Sequence, residues 1–188
     1  TKAITFESIN AGGSFGLFST YNAISGTIGK FQYYTYFTHR KSDGYRENSE
    51  SDYDAQSIML VYNASSNFKI TGELSRSNYI YQTPGPLTDS MFQATPRMST
   101  RARNYFNPEI YVPSIKLEWK IGKHTRMQWL TSAVLGGRNS VQFDRPANVP
   151  DAVNPTTNEY APRQVDIDHF NSYTSELRFS HEYGLFNH

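Results

Sequence analysis

The chain has 188 residues, of which 37% are hydrophobic, with a mean hydropathy of −0.63 and a net charge of +1 at pH 7. No run approaches the roughly 18 to 20 apolar residues of a transmembrane helix. The small net charge gives no overall basic footprint for nucleic acid, and the absence of cysteine excludes disulfides and thiolate chemistry. A membrane-spanning β-strand needs only about ten residues, half of them apolar, so low hydropathy does not exclude a barrel.

Alternation of apolar and polar residues between turn signals predicts eight antiparallel strands, and no stretch shows a convincing helical period. In chain order these strands lie near 4–11, 17–24, 31–40, 55–62, 68–75, 114–121, 125–135 and 173–180. The clearest pattern is 114–121, in which Ile115, Leu117 and Trp119 point to one side and charged residues to the other. We expect one outer, convex face to carry these three side chains together with Phe68, Ile70, Leu177 and Phe179.

The connections alternate between short and long. Polar turns at 26–30, 63–67 and 122–124 alternate with longer connections at 43–52, 82–112 and 139–170, and the last two contain 31 and 32 residues. Compact soluble domains seldom contain such long connections without secondary structure. Outer-membrane barrels have short periplasmic turns at one rim and long loops at the other. The fold class predicted is therefore all-β: an antiparallel transmembrane β-barrel segment of about eight strands.

Two details agree with this interpretation. Aromatic residues make up 15% of the chain, and barrels place aromatic rings in girdles at the two water interfaces. The prolines are expected almost wholly in the two longest connections, where a missing backbone donor interrupts no ladder. Two alternatives stay open: a complete small eight-stranded outer-membrane barrel used for adhesion or structure, and a soluble β-sandwich that binds carbohydrate.

Three segments resemble a known family. The segment 37–49 (FTHRKSDGYRENS) resembles the third strand and second outer loop of TonB-dependent receptors. The segment 82–89 (QTPGPLTD), followed by the basic run 97–103, resembles the third outer loop of the ferric-dicitrate branch of that family. The segment 135–140 (LGGRNS) is similar to the end of the seventh strand in the same branch. The resemblance extends over nearly the whole chain and is most specific between residues 37 and 140.

This resemblance implies TonB-dependent uptake, across the bacterial outer membrane, of a ferric siderophore such as ferric citrate or a similar carboxylate chelate. It implies no enzyme activity and no cofactor, because iron enters only as part of the transported chelate. The expected partners are outer-membrane lipid and lipopolysaccharide, the ferric chelate, and TonB acting through a plug domain, with no nucleic acid. Residues 1–188 would form the N-terminal portion of the receptor barrel, without the plug and the remaining strands. The ending Phe186-Asn187-His188 lacks the family's C-terminal aromatic residue.

Five arginines are the candidate substrate-binding residues. Guanidinium groups keep their charge and bind carboxylates bidentately, as a polyanionic ferric chelate requires. By resemblance, Arg138 falls where the ferric-dicitrate receptors place a ligand arginine, and Arg163 matches a second one in the following loop. Arg97, Arg101 and Arg103 form a further cluster in the third outer loop. The alternative is that these arginines pair with acidic neighbours or with lipopolysaccharide phosphates.

One short acidic segment admits a different interpretation. Asp166, Asp168 and His169 are of the residue types that serve as acid, base or calcium ligands. No serine stands in a nucleophile context, and the spaced ligands of a calcium loop are lacking. We therefore expect neither catalysis nor a bound metal at these positions.

Overall fold

A computed structural model describes residues 2–183 of the chain. The ending 186–188, noted above for lacking the family's C-terminal aromatic residue, lies outside the described residues. It contains eight strands and one short helix: β1 Thr5–Gly12, β2 Phe18–Ile28, β3 Phe31–Ser42, β4 Ser51–Asn63, β5 Phe68–Gln82, α1 Asp89–Ala94, β6 Tyr105–Lys120, β7 Thr125–Gln142 and β8 Gln164–His181. Each strand pairs antiparallel with its neighbour in sequence, in the order β1 to β8. The all-β, antiparallel prediction is confirmed.

The eight strands form one open sheet. Within residues 2–183, β1 pairs with β2 alone and β8 with β7 alone. A β-sandwich would need two packed sheets, and a closed eight-stranded barrel would need β8 to pair with β1. The described sheet has neither arrangement and is open at β1 and β8.

The register gives the sheet two chemically different faces. Leu117 lies opposite both Ile70 and Trp129, and Trp129 lies opposite Leu177. Directly opposed residues point to the same side of a sheet, so the predicted grouping of these side chains on one face is confirmed. We call this side the apolar face. Its exposed large side chains include Ile24, Ile28, Phe31, Ile58, Leu60, Leu74, Ile115, Trp119, Trp129, Leu177 and Phe179.

The opposite side, which we call the polar face, carries charges at one end of the strands. Lys69 and Glu118 form an ion pair of 2.6 Å, and Lys116 lies 3.3 Å from the same carboxylate. Arg178 pairs with Glu176 on β8 at 2.6 Å. These contacts are cross-strand or i, i+2 pairs of the kind expected where one side of a sheet faces water.

The predicted strand ends were too short at several places. β2 continues to Ile28, so the turn is Gly29–Lys30, with Gly29 at a φ of +58°. β6 begins at Tyr105, β7 ends at Gln142 and β8 begins at Gln164. The long connections are therefore 83–104 and 143–163. Alternation reveals a strand only where its two sides differ in environment. The start of β8 does alternate, with Val165 and Ile167 on the side of Leu177 and Asp166 and Asp168 on the other, so there the sequence analysis missed a signal that was present.

The prediction for the prolines was wrong at Pro108, which lies inside β6 rather than in a connection. Pro113, which lies outside both predicted connections, is also inside β6. The β5–β6 pairing is interrupted around Pro108, and the β6–β7 pairing is interrupted around Pro113. Proline has no backbone N–H to donate to a ladder, so each interruption coincides with the missing donor.

The structure contains one short helix, which the sequence pattern did not indicate. Helix α1 spans six residues in the connection 83–104, and the Thr88 hydroxyl caps it by accepting a hydrogen bond from the Met91 backbone N–H at 3.3 Å. Six residues complete fewer than two turns, so no helical period is visible in the sequence. No helix among residues 2–183 is long and apolar enough to cross a membrane.

The large buried side chains lie in the connections, whereas the side chains buried on the sheet are small, namely Ala23, Ala55, Ser57 and Ser140. Phe143 is buried beside the polar residues Thr100, Arg101 and Asn104. The sheet itself leaves its large apolar side chains exposed. The packed centre of this chain is therefore at the end of the sheet that carries the long connections 43–50, 83–104 and 143–163. We call this end the loop rim and the three packed connections the loop body; the opposite end, with the tight turns, is the turn rim.

Candidate functional site

Arg46 joins the first connection of the loop body to the second. Its guanidinium donates to the carbonyl of Gly85 at 2.7 Å and twice to that of Met98, at 3.0 and 3.1 Å. The Asn48 side chain donates to the carbonyl of Arg101. Hydrogen bonds from a charged donor are stronger than neutral ones, so these contacts fix the segment 43–50 against the segment 83–104.

Arg101 joins the second connection to the third. It is only 2% exposed. Its guanidinium donates to the carbonyl oxygens of Thr100 at 2.7 Å and Pro146 at 3.4 Å and to that of Arg145, and it lies 5.1 Å from the Phe143 ring centroid. A buried charge is tolerated when its donors are satisfied, and Arg101 meets that condition through loop carbonyls. Because its donors are already bonded to loop carbonyls, the Arg101 guanidinium has little capacity left to bind an external ligand.

Arg163 and Asp151 form a buried ion pair within the third connection. Their closest atoms are 2.5 Å apart, and their side chains are 7% and 1% exposed. The second carboxylate oxygen of Asp151 accepts from the Ala102 backbone N–H at 2.8 Å. The Arg163 guanidinium lies near the rings of Phe143 and Tyr160, at 5.7 and 5.3 Å. The pair therefore ties the connections 83–104 and 143–163 together.

The other two arginines of the basic run lie on the surface of the loop body. Arg103 is exposed and lies 4.0 Å from the Tyr160 ring centroid. Arg97 is also exposed, donates to the Tyr45 carbonyl at 2.8 Å and lies 5.3 Å from the Phe15 ring centroid. Both residues stay exposed while their guanidinium groups lie over aromatic rings, a cation–π arrangement.

Arg138 occupies a different environment from the other four. It lies near the loop-rim end of β7, directly opposite Asp168 on β8 and Pro108 on β6, which places it on the polar face. It forms an ion pair with Asp168, and its guanidinium is 5.6 Å from the Phe106 ring centroid. Its side chain is 45% exposed. A ligand on the polar face therefore reaches Arg138 without opening the loop body.

Aromatic side chains extend from Arg138 across the polar face. Phe106 packs on Tyr81 at 5.3 Å, Tyr81 is nearly parallel to Tyr79 at 6.0 Å, and Tyr79 packs on Tyr53 at 6.1 Å. In the sequence Tyr53 and Phe106 lie far from the pair Tyr79 and Tyr81, and only the β4–β5–β6 register brings the four side by side. Together with Arg138 they form a surface that offers aromatic contact area and one positive charge.

The five arginines therefore lie in three places. Arg101, Arg103 and Arg163 gather around the rings of Phe143 and Tyr160, Arg97 lies against Tyr45, and Arg138 stands apart on the polar face. The sequence analysis did not single out Arg46 or Asp151. Both lie in connections without periodicity, so the sequence carries no signal of their burial.

The structure does not assemble Asp166, Asp168 and His169 into one site. Asp168 pairs with Arg138, and Asp166 accepts from Ser140 at 3.2 Å. His169 follows Asp168 on the same strand and therefore points to the opposite face. Within residues 2–183, one group of three metal-ligating side chains does converge, His39 with Asp52 and Asp54 on β3 and β4. The sequence analysis missed it, because pairing between two strands creates it.

Comparison with known proteins gives a likeness in fold. No protein-family model and no curated protein matches the sequence. A solved structure described as "ferric citrate transporter FecA in the unliganded form" matches with a TM-score of 0.65 and 14% identity, over 76% of this chain and 22% of that chain. The chain thus spans about a fifth of the length of that structure. The likeness supports a barrel-like fold of the predicted kind.

Proposed function

We propose that this chain is the N-terminal part of the barrel wall of an outer-membrane, TonB-dependent receptor that takes up a ferric chelate, with ferric citrate or a similar carboxylate siderophore as the ligand. The role is transport rather than catalysis, with no cofactor of the protein's own. The observation that carries the proposal is one open antiparallel sheet with an exposed apolar face, tight turns at one rim and a packed loop body at the other.

The height of the apolar face supports a membrane-spanning sheet. On the apolar side of β6 the apolar residues run from Tyr111 to Trp119, and Ile121, directly after the strand end at Lys120, continues the series. Ten steps of about 3.3 Å, tilted by about 40° as in outer-membrane barrels, project to about 25 Å. That is the height of the apolar band in such barrels. Above this band the same face carries charges, with Arg76 and Glu109 paired at 2.7 Å, although Ile80, Val165 and Ile167 are also exposed there.

Aromatic side chains border this band on both sides. Phe31, Trp119 and Phe179 lie near the turn rim, whereas Tyr111 and Tyr173 lie toward the loop rim. Aromatic residues of the lipid-facing side concentrate at the two interfaces of outer-membrane barrels. The polar face would then border the interior of the barrel, where its charges meet water or the plug domain.

The ligand class is proposed from the chemistry of the polar face at the loop rim. Arg138 is positively charged, half exposed and held by a strand, and an aromatic surface adjoins it. A carboxylate chelate would replace Asp168 as the partner of Arg138. Four of the five candidate arginines are instead engaged by the loop body or its aromatic rings, so Arg138 is the residue on which we base the ferric-carboxylate proposal.

The test is a titration of ferric citrate into the intact receptor and its Arg138 variants. Arg138→Ala removes a charge-assisted contact worth about 1.5 to 3 kcal/mol, so we expect affinity to fall about ten- to a hundredfold. Arg138→Lys should recover part of this, because an ammonium cannot reproduce the bidentate fork. Asp168→Asn should not weaken binding, because it removes the carboxylate that competes with the ligand.

Arg126→Ala is the matched control. Arg126 lies on the same strand and the same face as Arg138, at the turn rim. Its removal changes the net charge equally and should leave affinity unchanged. Equal affinities for the wild type, Arg138→Ala and Arg138→Lys would reject Arg138 as a ligand residue. A loss in Arg126→Ala as large as that in Arg138→Ala would mean that the effect reflects total charge.

A further inference from the structure

We propose that His39, Asp52 and Asp54 form a binding site for a divalent transition-metal ion such as Zn²⁺ at the loop rim of the sheet. The proposal does not depend on the transported ligand, because these residues lie on the apolar-face side of β3 and β4 and not on the polar face. It concerns an ion held by the protein and not the iron of a chelate.

The geometry of the three side chains is close to that of a coordination site. His39 Nδ1 lies 2.8 Å from Asp54 Oδ1 and 3.7 Å from Asp52 Oδ1, and the three ligand atoms lie within 4.8 Å of one another. Zinc ligands stand about 2.0 to 2.2 Å from the ion, so tetrahedral ligands are about 3.4 Å apart. Small side-chain rotations therefore suffice to bring all three donors to a common centre.

The sheet fixes the backbone positions of the ligands. His39 is directly opposite Asp54 in the β3–β4 register, and Asp52 lies two residues from Asp54 on the same strand and face. Both strands are paired on each side, because β2 flanks β3 and β5 flanks β4. Ligands on paired strands lose little backbone freedom when an ion binds, which favours affinity.

The charges around the site leave one carboxylate without a matching donor. His39 Nδ1 donates to one acceptor at a time, and Asp54 at 2.8 Å takes that bond. Asp52 then has only the same nitrogen at 3.7 Å, and within residues 2–183 no lysine or arginine nitrogen approaches either carboxylate within 4 Å. Two carboxylates facing one imidazole repel each other, and a bound cation relieves that repulsion.

The groups that face the cluster from the flanking strands are mostly neutral. Thr20 on β2 lies opposite His39, and on β5 Asn78 and Ile80 lie opposite Asp54 and Asp52. The one cation in a directly opposed position is Lys41, across from Asp52. Lys41 is exposed, and its nitrogen is not within 4 Å of the Asp52 carboxylate, so it weakens cation binding without blocking the site.

The donor set favours a transition metal over calcium or magnesium. One imidazole nitrogen and two carboxylate oxygens suit Zn²⁺ and its neighbours, whereas Ca²⁺ and Mg²⁺ prefer oxygen donors alone. Ligation uses the neutral His39 tautomer that carries its proton on Nε2, which leaves Nδ1 free for the ion. Three protein ligands leave a fourth position for water.

The experiment uses the intact protein in detergent, stripped of metal with EDTA and titrated with ZnCl₂ in a calorimeter. We expect one site in the wild type and at least about a tenfold loss of affinity in His39→Gln and in Asp54→Asn. His39→Gln retains an amide donor for the hydrogen bond to Asp54 and so preserves the fold contact while removing the imidazole. His169→Ala is the matched control, because His169 also lies near the loop rim but outside any such cluster.

X-ray absorption at the zinc edge provides an independent readout. The wild type should show one imidazole and oxygen neighbours at about 2.0 to 2.2 Å, and the imidazole signal should disappear in His39→Gln. The proposal is overturned if the wild type binds no zinc, if His39→Gln binds it as well as the wild type, or if His169→Ala loses as much affinity as His39→Gln. Tighter binding of Ca²⁺ than of Zn²⁺ would also reject the assigned metal class.

Discussion

Removing the Asp151 carboxylate should open the loop body, because it leaves Arg163 buried and without its partner charge. In the folded protein these side chains are 1% and 7% exposed and 2.5 Å apart. Asp151→Ala also removes the acceptor for the Ala102 backbone N–H. Breaking a buried ion pair by deleting one partner costs about 3 to 5 kcal/mol. We expect that cost to fall on local opening of the loop body rather than on the sheet.

The assay is hydrogen exchange followed by mass spectrometry on peptides from 83–104 and 143–163. A loss of 3 to 5 kcal/mol corresponds to about a hundred- to several-thousandfold faster exchange through local opening. Peptides from β3 and β4 serve as internal standards and should exchange at the wild-type rate. Asp144→Ala is the matched control, because Asp144 is an exposed acid in the same connection.

A double variant separates the missing partner from simple loss of packing. Asp151→Ala with Arg163→Met removes both charges and fills part of the volume, and replacing a buried ion pair by apolar groups is often close to neutral. We therefore expect slower exchange in the double variant than in Asp151→Ala alone. Equal protection in Asp151→Ala and Asp144→Ala would refute the reasoning and would return Arg163 to the set of accessible ligand arginines.

Two further predictions concern the apolar face and one glycine. Ile115 lies near the middle of the proposed lipid band, so Ile115→Arg should destabilise insertion into lipid vesicles by about 2 to 4 kcal/mol. Ser114→Arg, on the polar face, is the control and should insert like the wild type. Equal insertion of the two variants would contradict the assignment of the faces. Gly85→Ala should increase protease cleavage within 83–104, because Gly85 has a φ of +77° and an added Cβ would collide with Arg101. Gly72→Ala, where the same atom meets open space, should be cleaved like the wild type, and an unaffected Gly85→Ala would argue against a packed loop body.

The sequence alone was sufficient to predict the eight strands, their order in the sheet and the alternation of short turns with long connections. A strand with one apolar and one polar side reveals itself by a period of two residues, as in 114–121, and glycine and asparagine mark tight turns locally. Neighbouring strands joined by short turns pair with each other, so antiparallel order follows without knowledge of distant contacts. The same logic placed Ile115, Leu117 and Trp119 on one face.

The tertiary structure alone decided which side chains work together. Contacts between segments far apart in the chain bury Arg101 and Arg163 in the loop body. Cross-strand register places Arg138 apart from them on the polar face and brings His39 together with Asp52 and Asp54. Residue type alone does not distinguish the five arginines as candidate ligand residues, because a guanidinium is charged wherever it lies. Burial and partners distinguish them, and those follow from how connections without periodicity pack against one another.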